Sequence, residues 1–417
     1  MSIPDSTPAP RGMLIIGAGL AGLTVAETLR AEGYAGPITL LGAEPHAPYQ
    51  RPPLSKGFLQ GDTPEAQLNM RPAEMLLKKE IDLRVGAGAT AIDRSAKQVR
   101  LADGTWLPYE GLALCTGARL RRLPLPGAKL DGVLGLRSLD DSKAIKAALE
   151  SARHVVIIGG GFIGLEVAAV ARKKGKQVTV LEAAERLMAR VVPPAISQFY
   201  LDLHRGHGVE VALGALVTEL VGKDGRIAAV RTDDGREYPA DLLLVGIGVI
   251  ANTELAQDAG LEVINGIVVD ACSRTSDPAI VAAGDCTARR LPDGSLRRLE
   301  SVQNAMEQAK SAAAALLGRE RPFTATPWFW SDQYDVKLQM AGSTAGCDEV
   351  AIRGAVEVSA TSRKFSFYYF KAGRLIAIDS INQSADHLTG RKLLDKGVSP
   401  TPAQAADCSF ELGSLLV

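Results

Sequence analysis

The feature that most constrains the fold is a unit that occurs twice. The segment from Met13 to Glu44 begins MLIIGAGLAGL and ends ITLLGAE, and the segment from Val155 to Glu182 begins VVIIGGGFIGL and ends VTVLE. Each copy has an apolar run typical of a buried parallel strand, a G-x-G-x-x-G turn, a helix-length segment, a second strand and a closing acid. The repeat therefore predicts an α/β chain with two Rossmann-like dinucleotide-binding domains, one nested within the other.

The spacing of the first copy has a physical reason. Gly17 permits the tight turn, Gly19 lets the backbone approach a pyrophosphate, and Gly22 lets the helix pack closely on the strand. The helix N-terminus would then direct free N–H groups and a positive dipole end at the diphosphate. Glu44, where the second strand ends, is placed to accept hydrogen bonds from ribose hydroxyls.

The second copy repeats these positions, with Gly159, Gly161 and Gly164 in the turn and Glu182 as the acid. A carboxylate at this point repels a 2′-phosphate, so the sequence favours NADH over NADPH. Arg186 and Arg190 lie nearby and weaken that preference. The second unit is therefore predicted to bind NAD(H).

Three further segments are not typical of a plain dehydrogenase. An apolar strand runs into Thr116 and Gly117, and a similar strand from Asp241 ends in glycines at Gly248. Both are predicted to carry the chain between nucleotide domains. The third segment, TSDPAIVAAGD, ends at Asp285 and resembles the second FAD motif of the two-dinucleotide-binding flavoproteins; the alternative is a plain strand followed by a Gly-Asp turn.

The order of these motifs resembles the pyridine nucleotide-disulfide oxidoreductase superfamily over almost the whole chain. Disulfide reductases of that superfamily carry a redox cysteine soon after the first acid, but Pro45 to Lys56 reads PHAPYQRPPLSK and contains none. The motifs PYQRPPLSK, ESVQNAMEQAK and PWFWSDQ are similar to the oxygenase-coupled ferredoxin reductases. The resemblance implies FAD in the first unit and, as partner, a separate 2Fe-2S ferredoxin that supplies a cytochrome P450 or a Rieske oxygenase.

The resemblance also implies roles for single residues. It places Lys56 beside the flavin, where a cation stabilises negative charge, and pairs it with Glu166 in the first turn of the second nucleotide helix. It places Trp330 over the flavin or nicotinamide, although alternating tryptophans in PWFW are also typical of core packing. The remaining cofactor-binding residues implied by the resemblance are Ala18, Ala21, Arg51, Ala89, Thr116, Gly117, Arg137, Gly284, Asp285, Ser301 and Val302 for FAD, and Phe162, Ile163, Arg190 and Gly248 for NAD(H). Ser301 is equally suited to cap a helix.

The predicted domains follow from the motif positions. Residues 1–117 and 245–322 would form a discontinuous FAD-binding domain, and residues 118–244 the NAD(H)-binding domain. From residue 323 the chain becomes aromatic and alternating, as in KFSFYYFKAGRLIAIDSIN. We therefore expect 323–417 to form a small C-terminal α/β domain with antiparallel strands.

Composition limits the partners. The chain has 47 basic and 47 acidic side chains among 417 residues, so no overall field favours nucleic acid or a membrane surface. No apolar run approaches the roughly 20 residues that span a bilayer, and residues 1–11 lack a signal pattern. We expect a cytoplasmic monomer or weak dimer.

Cysteine and histidine give no sign of a metal site. The five cysteines include no C-x-x-C pair, and we expect each to be a small buried apolar residue. His204 and His207 lie in a basic stretch and are predicted to be solvated.

The electron acceptor is less constrained. Residues 287–321 hold seven basic and four acidic side chains, a local excess of three that would either steer an acidic ferredoxin or form a solvated face. The alternatives to a ferredoxin reductase are an NADH oxidase or quinone reductase, and a redox-sensing interaction protein like apoptosis-inducing factor.

Overall fold

A computed structural model describes residues 11–356 and 363–416. Residues 1–10, most of the segment that was searched for a signal pattern, lie outside this part of the chain. The strands are β1 Gly12–Ile16, β2 Ile38–Leu41, β3 Ile81–Arg84, β4 Ala89–Asp93, β5 Gln98–Leu101, β6 Trp106–Leu114, β7 Ala118–Leu120, β8 Val133–Leu134, β9 His154–Ile158, β10 Gln177–Glu182, β11 Glu210–Leu213, β12 Val217–Lys223, β13 Arg226–Thr232, β14 Glu237–Pro239, β15 Leu242–Val245, β16 Val249–Ala251, β17 Ile267–Val269, β18 Ile280–Ala282, β19 Thr287–Arg290, β20 Leu296–Arg297, β21 Trp328–Gln333, β22 Val336–Gly342, β23 Glu349–Gly354, β24 Phe365–Lys371 and β25 Arg374–Ile381.

The α-helices are α1 Leu20–Ala31, α2 Gly57–Gln60, α3 Ala73–Lys78, α4 Leu139–Ser151, α5 Phe162–Lys173, α6 Pro194–Gly206, α7 Glu254–Asp258, α8 Val302–Leu316, α9 Ser384–Lys396 and α10 Pro402–Ala406. Short 3-10 turns cover Pro52–Ser55, Glu65–Leu68 and Leu412–Leu416. None of the helices in the described ranges is long and apolar enough to cross a membrane.

The chain divides into two compact units. The first comprises the described residues up to Gln50 together with Ala66–Arg119 and Ile250–Ala325, and the second comprises Arg51–Glu65, Leu120–Val249 and the described residues from Thr326 onward. The three-domain boundaries derived from the sequence stay a prediction.

The first unit is built on a parallel sheet in the order β3-β2-β1-β6-β18. The long strand β6 pairs with β1 through its second half and turns its first half into an antiparallel ribbon with β5 and β4. Because side chains alternate along a strand, β1 supplies both faces of the sheet. Ile15 packs with α1 and α8 on one face, and Leu14 packs with Leu112 and Ile280 on the other.

The second unit contains the second parallel sheet, in the order β11-β10-β9-β15-β8. Strand β9 reads HVVII with its last four residues buried, as the apolar run predicts. The helix α5 follows it and buries eight consecutive residues from Gly164 to Ala171. The strands β12, β13 and β14 add a small antiparallel sheet.

The C-terminal segment of the second unit forms an antiparallel sheet in the order β21-β22-β25-β24-β23. Tyr368 and Phe370 pack with Leu393 of α9 on one face, and Phe365 on the other face packs edge-on against Phe199 of α6, with ring centroids 5.1 Å apart. Lys371 and Arg374 pair with each other on either side of the tight turn that joins β24 to β25. The predicted fold class, two Rossmann-like folds with an antiparallel C-terminal region, is confirmed.

Candidate active site

The first glycine-rich turn has the geometry that a bound diphosphate requires. Gly17 has φ +110°, and a Cβ there would lie 2.0 Å from the Cys115 carbonyl oxygen. A Cβ at Gly22 would lie 1.9 Å from the Gly17 carbonyl oxygen, so the helix packs on the turn with no room for a methyl group. A Cβ at Gly19 would meet no atom within 4 Å. The middle glycine therefore faces open space, as the pyrophosphate position demands.

The second turn repeats this pattern. Gly159 has φ +106° and a Cβ there would lie 2.4 Å from the Gly246 carbonyl oxygen, while a Cβ at Gly164 would lie 2.3 Å from the Gly159 carbonyl oxygen. A Cβ at Gly161 would again meet nothing within 4 Å. Both helices begin one residue after the open glycine, and no side chain caps either N-terminus. Their N–H groups are thus available to an anion.

The two closing acids are held differently. Oε2 of Glu182 accepts the Gly160 N–H at 2.6 Å and its Oε1 accepts the Ala184 N–H at 2.8 Å, so the carboxylate is fixed beside the second turn. Glu44 accepts the Tyr49 hydroxyl at 2.5 Å. Glu182 is the last residue of β10 and Glu44 follows the end of β2 by three residues, the region where a ribose would be recognised.

A cavity of about 390 Å³ opens beside the first turn. Gly17, Ala89 and Thr116 line it, together with Ala43 and Asn252. Thr116 is fixed there because its hydroxyl donates to the Asn252 carbonyl oxygen at 2.6 Å. The structure thus brings three predicted FAD-binding residues to one cavity, and Asn252, which the sequence reasoning missed, completes it.

The predicted ion pair between Lys56 and Glu166 is confirmed. The Lys56 Nζ lies 2.8 Å from Oε2 of Glu166, within the second unit. Lys56 follows the 3-10 turn made by Pro52–Ser55, and its ammonium also lies 3.4 Å from the Pro52 carbonyl oxygen. The proline-rich turn therefore holds the ammonium at one place.

The prediction that Glu166 lies in the first turn of its helix is wrong, because α5 begins at Phe162 and Glu166 is in the second turn. Side chains, rather than the helix dipole, satisfy this buried carboxylate. Ser55 donates to Oε2 at 2.5 Å and Ser331 donates to Oε1 at 2.7 Å, in addition to the Lys56 bond. Neither serine was found from the sequence, since each lies more than 100 positions from Glu166.

Other predicted residues of the second unit are placed as follows. The Arg51 guanidinium donates to the Arg137 carbonyl oxygen at 2.7 Å, which brings these two arginines together. The Trp330 ring lies 5.5 Å from that of Trp328 on one face of β21, opposite to the face that carries the Ser331 hydroxyl. Three predicted residues, Ile163, Arg190 and Gly248, are exposed.

Predicted residues of the first unit gather around α8. The hydroxyl of Ser301 accepts the Asn304 N–H at 3.1 Å, so Ser301 is the helix cap, and Val302 is the first helical residue. The Gly284 N–H donates to Oε1 of Gln308 at 2.9 Å, which fixes the turn that carries Asp285. Ala18 and Ala21 lie in and just after the first glycine turn.

The expectations for two of the cysteines and for one histidine are wrong, whereas His207 is exposed as expected. Cys347 is half-buried and Cys408 is exposed, whereas Cys115, Cys272 and Cys286 are buried as expected. His204 is completely buried, and burial lowers its pKa to about 4. Among the described residues, no group of three or more His, Cys, Asp or Glu side chains has the geometry of a metal site.

The basic excess in residues 287–321 is largely compensated. Arg289 packs on the Phe323 ring and donates to its carbonyl oxygen at 2.5 Å. Four other cations form ion pairs, two of them with acids outside the segment: Arg290 with Glu262, Arg298 with Glu300, Lys310 with Glu307 and Arg319 with Glu32. The segment therefore carries less free positive charge than its sequence suggests.

Comparison with known proteins supports the same reading. Residues 12–309 match the family model described as pyridine nucleotide-disulphide oxidoreductase, and residues 328–416 match the reductase C-terminal model. Rhodocoxin reductase of Rhodococcus erythropolis is 47% identical over 401 residues, which cover 96% of this chain and 93% of that protein.

Two solved structures are similar over nearly the whole chain. The ferredoxin reductase for the CYP199A2 system from Rhodopseudomonas palustris has a TM-score of 0.94 and 46% identity, and covers 98% of this chain and 100% of its own. The covalent putidaredoxin reductase–putidaredoxin complex has a TM-score of 0.93 and 39% identity, with coverage of 98% and 99%. The resemblance to ferredoxin reductases is confirmed. Proteins of this family use FAD and NAD(P)H. The two glycine turns, the two closing acids and the extent of these matches show that the chain belongs to the pyridine nucleotide-disulphide oxidoreductase family.

Proposed function

We propose that this protein transfers electrons from NADH through FAD to a 2Fe-2S ferredoxin, which supplies a cytochrome P450 or a Rieske oxygenase. The observation that carries the proposal is the Lys56–Glu166 pair, whose lysine lies in the segment where disulfide reductases carry a redox cysteine. An ammonium there serves electron transfer through a flavin but offers no thiol chemistry. The similar proteins named for rhodocoxin, putidaredoxin and ferredoxin support the choice of acceptor.

Bound FAD would supply the conversion of a two-electron hydride donor into single electrons. The described residues fit its binding, since the open position at Gly19 and the free N–H groups of α1 suit a diphosphate. We assign Lys56 to stabilising negative charge near the flavin and Glu166 to fixing that ammonium. Trp330 is assigned to covering the flavin or nicotinamide ring.

The second nucleotide site is assigned to NADH. Gly161 leaves space for the pyrophosphate, and the fixed carboxylate of Glu182 would lie against the ribose. A 2′-phosphate would meet that negative charge, so NADH is preferred to NADPH. We further propose a cytoplasmic monomer or weak dimer, with FAD held by residues 1–117 and 245–322 and NADH by residues 118–244.

Replacing Lys56 with Met tests the assignment. Met keeps most of the side-chain volume but removes the charge, so we expect anaerobic flavin reduction by NADH in stopped flow to slow by at least about tenfold. The control is Lys143→Met, because Lys143 pairs with Glu65 at 2.7 Å on the surface of the same unit. An unchanged rate in the Lys56 variant would refute the role of this ammonium.

The acceptor is tested separately with purified protein. We expect a yellow protein whose NADH-driven reduction of cytochrome c depends on added 2Fe-2S ferredoxin. Equal turnover with quinone or oxygen alone would point instead to an oxidase or quinone reductase. Very slow turnover coupled to a change in sedimentation on adding NADH would point to a redox-sensing interaction protein.

A further inference from the structure

The second unit contains a chain of buried hydrogen bonds that ends at Glu166. His204 on α6 bonds through Nε2 to Oε1 of Gln333 at 2.8 Å. The Gln333 amide nitrogen lies 3.2 Å from the Ser331 hydroxyl, which in turn lies 2.7 Å from Oε1 of Glu166. Four side chains from α6, β21 and α5 are therefore linked without a gap.

Each side chain in this series donates its hydrogen bond to the next, starting at His204 and ending at Glu166. Glu166 is an acceptor in its ionised form, so the Ser331 hydroxyl must donate to it. The Ser331 oxygen is then free to accept from the Gln333 amide N–H, and this orientation turns Oε1 of Gln333 toward His204. His204 must therefore carry its proton on Nε2, which leaves Nδ1 as an acceptor facing the Tyr334 hydroxyl at 3.4 Å.

Burial makes this direction matter. Ser331 and His204 are fully buried and Gln333 is 1% exposed, so water does not compete for these bonds. Burial lowers the pKa of His204 to about 4, against a partial offset from the hydrogen bond to Gln333 and with a smaller contribution from nearby His207, so the ring is neutral at pH 7. A neutral ring has one donor and one acceptor nitrogen, as the chain requires.

We propose that Ser331, Gln333 and His204 are positioning residues that hold the Glu166 carboxylate in one orientation toward Lys56. The inference rests on the proposed function, because it is through Lys56 that the chain would affect hydride transfer. Ser331 supplies the only bond that the described residues make to Oε1 of Glu166, whereas Ser55 and Lys56 both bind Oε2. Without Ser331 the carboxylate would keep only its two bonds to Oε2, so its plane would no longer be fixed by a bond to each oxygen.

The hydrogen-bonded side chains do not relay a proton between His204 and Glu166. A glutamine amide passes a proton only by forming an imidic acid, so Gln333 interrupts any relay between His204 and Glu166. What the chain transmits is orientation: the His204 tautomer fixes the Gln333 amide, and the amide fixes the Ser331 hydroxyl.

The geometry is tested by nitrogen NMR on holoenzyme labelled with ¹⁵N-histidine. The protein has five histidines, so the spectrum is simple, and the His204→Gln variant assigns the His204 signals. We expect His204 in the Nε2–H tautomer at pH 7, and we expect that preference to be lost in Gln333→Leu. A charged His204, or an Nδ1–H tautomer, would overturn the proposal whatever the enzyme's activity.

The positioning role is tested by kinetics. We expect Ser331→Ala and Gln333→Leu to slow flavin reduction by NADH about fivefold to tenfold, the loss typical of one hydrogen bond, while the affinity for NADH changes less than about twofold. His204→Gln keeps an amide donor toward Gln333 and should therefore retain most of the wild-type rate. Tyr200→Phe is the control, because it removes another buried hydroxyl of α6 that has no hydrogen-bond partner among the described residues.

Different results would refute the proposed function and the positioning role. If Lys56→Met leaves hydride transfer unchanged, the proposed function fails. If Lys56→Met is slow but both Ser331→Ala and Gln333→Leu react at the wild-type rate with unchanged melting temperatures, the positioning role is refuted. Ser331→Ala removes one oxygen atom only, so it provides the test even if Gln333→Leu does not fold.

Discussion

Two glycines of the second turn, Gly161 and Gly164, should respond in opposite ways to replacement by alanine. Gly161→Ala and Gly164→Ala add the same methyl group three positions apart. The first methyl group would point into open space and the second against the backbone. The Cβ at position 161 meets no protein atom within 4 Å, and the backbone there has φ −83°, which alanine adopts without strain. The Cβ at position 164 would lie 2.3 Å from the Gly159 carbonyl oxygen.

The magnitudes follow from these distances. In an ordinary helix, Gly to Ala stabilises by about 1 kcal/mol. At Gly164 a backbone oxygen must move about 1 Å to reach normal contact, and overpacking of this kind costs about 1–3 kcal/mol or more. We therefore expect Gly164→Ala to lower the free energy of unfolding by about 2 kcal/mol. Gly161→Ala should change it by less than about 0.5 kcal/mol, as for a tolerated surface substitution.

The expected effects on NADH binding run the other way. The methyl group at position 161 would occupy the space that the pyrophosphate approaches, so Gly161→Ala should weaken NADH binding by at least about tenfold, or 1.4 kcal/mol. Urea unfolding monitored by circular dichroism gives the stabilities, and anaerobic titration gives NADH affinity. Wild-type affinity in Gly161→Ala would refute the placement of the diphosphate, and wild-type stability in Gly164→Ala would refute the close packing of α5.

Three further predictions concern other residues. Replacing Glu182 with Ser should raise kcat/KM for NADPH relative to NADH by at least about tenfold, because a fixed carboxylate no longer opposes the 2′-phosphate; an unchanged ratio from steady-state kinetics would contradict this. Burial raises the pKa of Asp379 to about 7, and the hydrogen bond from Tyr369 offsets this only in part. The stability that the protonated carboxyl contributes is therefore fully present below the pKa of the unfolded chain and is lost as the pH rises through about 7. The melting temperature of Asp379→Asn relative to wild type should thus be higher at pH 8 than at pH 5, and a constant difference would count against the shift. Thiol labelling of the native protein, read by mass spectrometry, should modify Cys347 and Cys408 but not the three buried cysteines. Burial also raises the pKa of the Cys115 and Cys286 thiols, which lowers their reactivity. Rapid modification of all five cysteines would contradict this burial and show that the first unit opens.

Local sequence patterns predicted the parts of the site that local geometry determines. Each glycine of a G-x-G-x-x-G turn contacts atoms a few residues away or across one neighbouring strand, so Gly17, Gly22 and Gly164 behave as their spacing predicts. The pairing of Lys56 with Glu166 is not local. It was predicted only because the resemblance to ferredoxin reductases joined two segments 110 positions apart.

The parts that the sequence reasoning missed depend on tertiary packing. The basic stretch around His204 predicts a solvated side chain, but His204 continues the apolar stripe of α6 formed by Ile196 and Tyr200 at intervals of four. That period was a signal for burial that charge composition concealed. Ser331 and Gln333 lie on the face of β21 opposite to the two tryptophans and carry no signal of their own, since α5 and α6 decide what their side chains contact.

The cost of burying Glu166 bears on whether the ion pair exists for stability or for chemistry. A buried ion pair recovers its desolvation cost only with good geometry and added hydrogen bonds, and well-packed apolar side chains usually serve stability as well. Here the protein satisfies the carboxylate with three donors, while the Lys56 side chain stays 20% exposed against 4% for Glu166. Of its three N–H groups, one bonds to Glu166 and one faces the Pro52 carbonyl oxygen, which leaves a donor for a further acceptor. An arrangement that fully satisfies the buried anion and keeps the cation accessible is expected of a site that presents positive charge to a bound group.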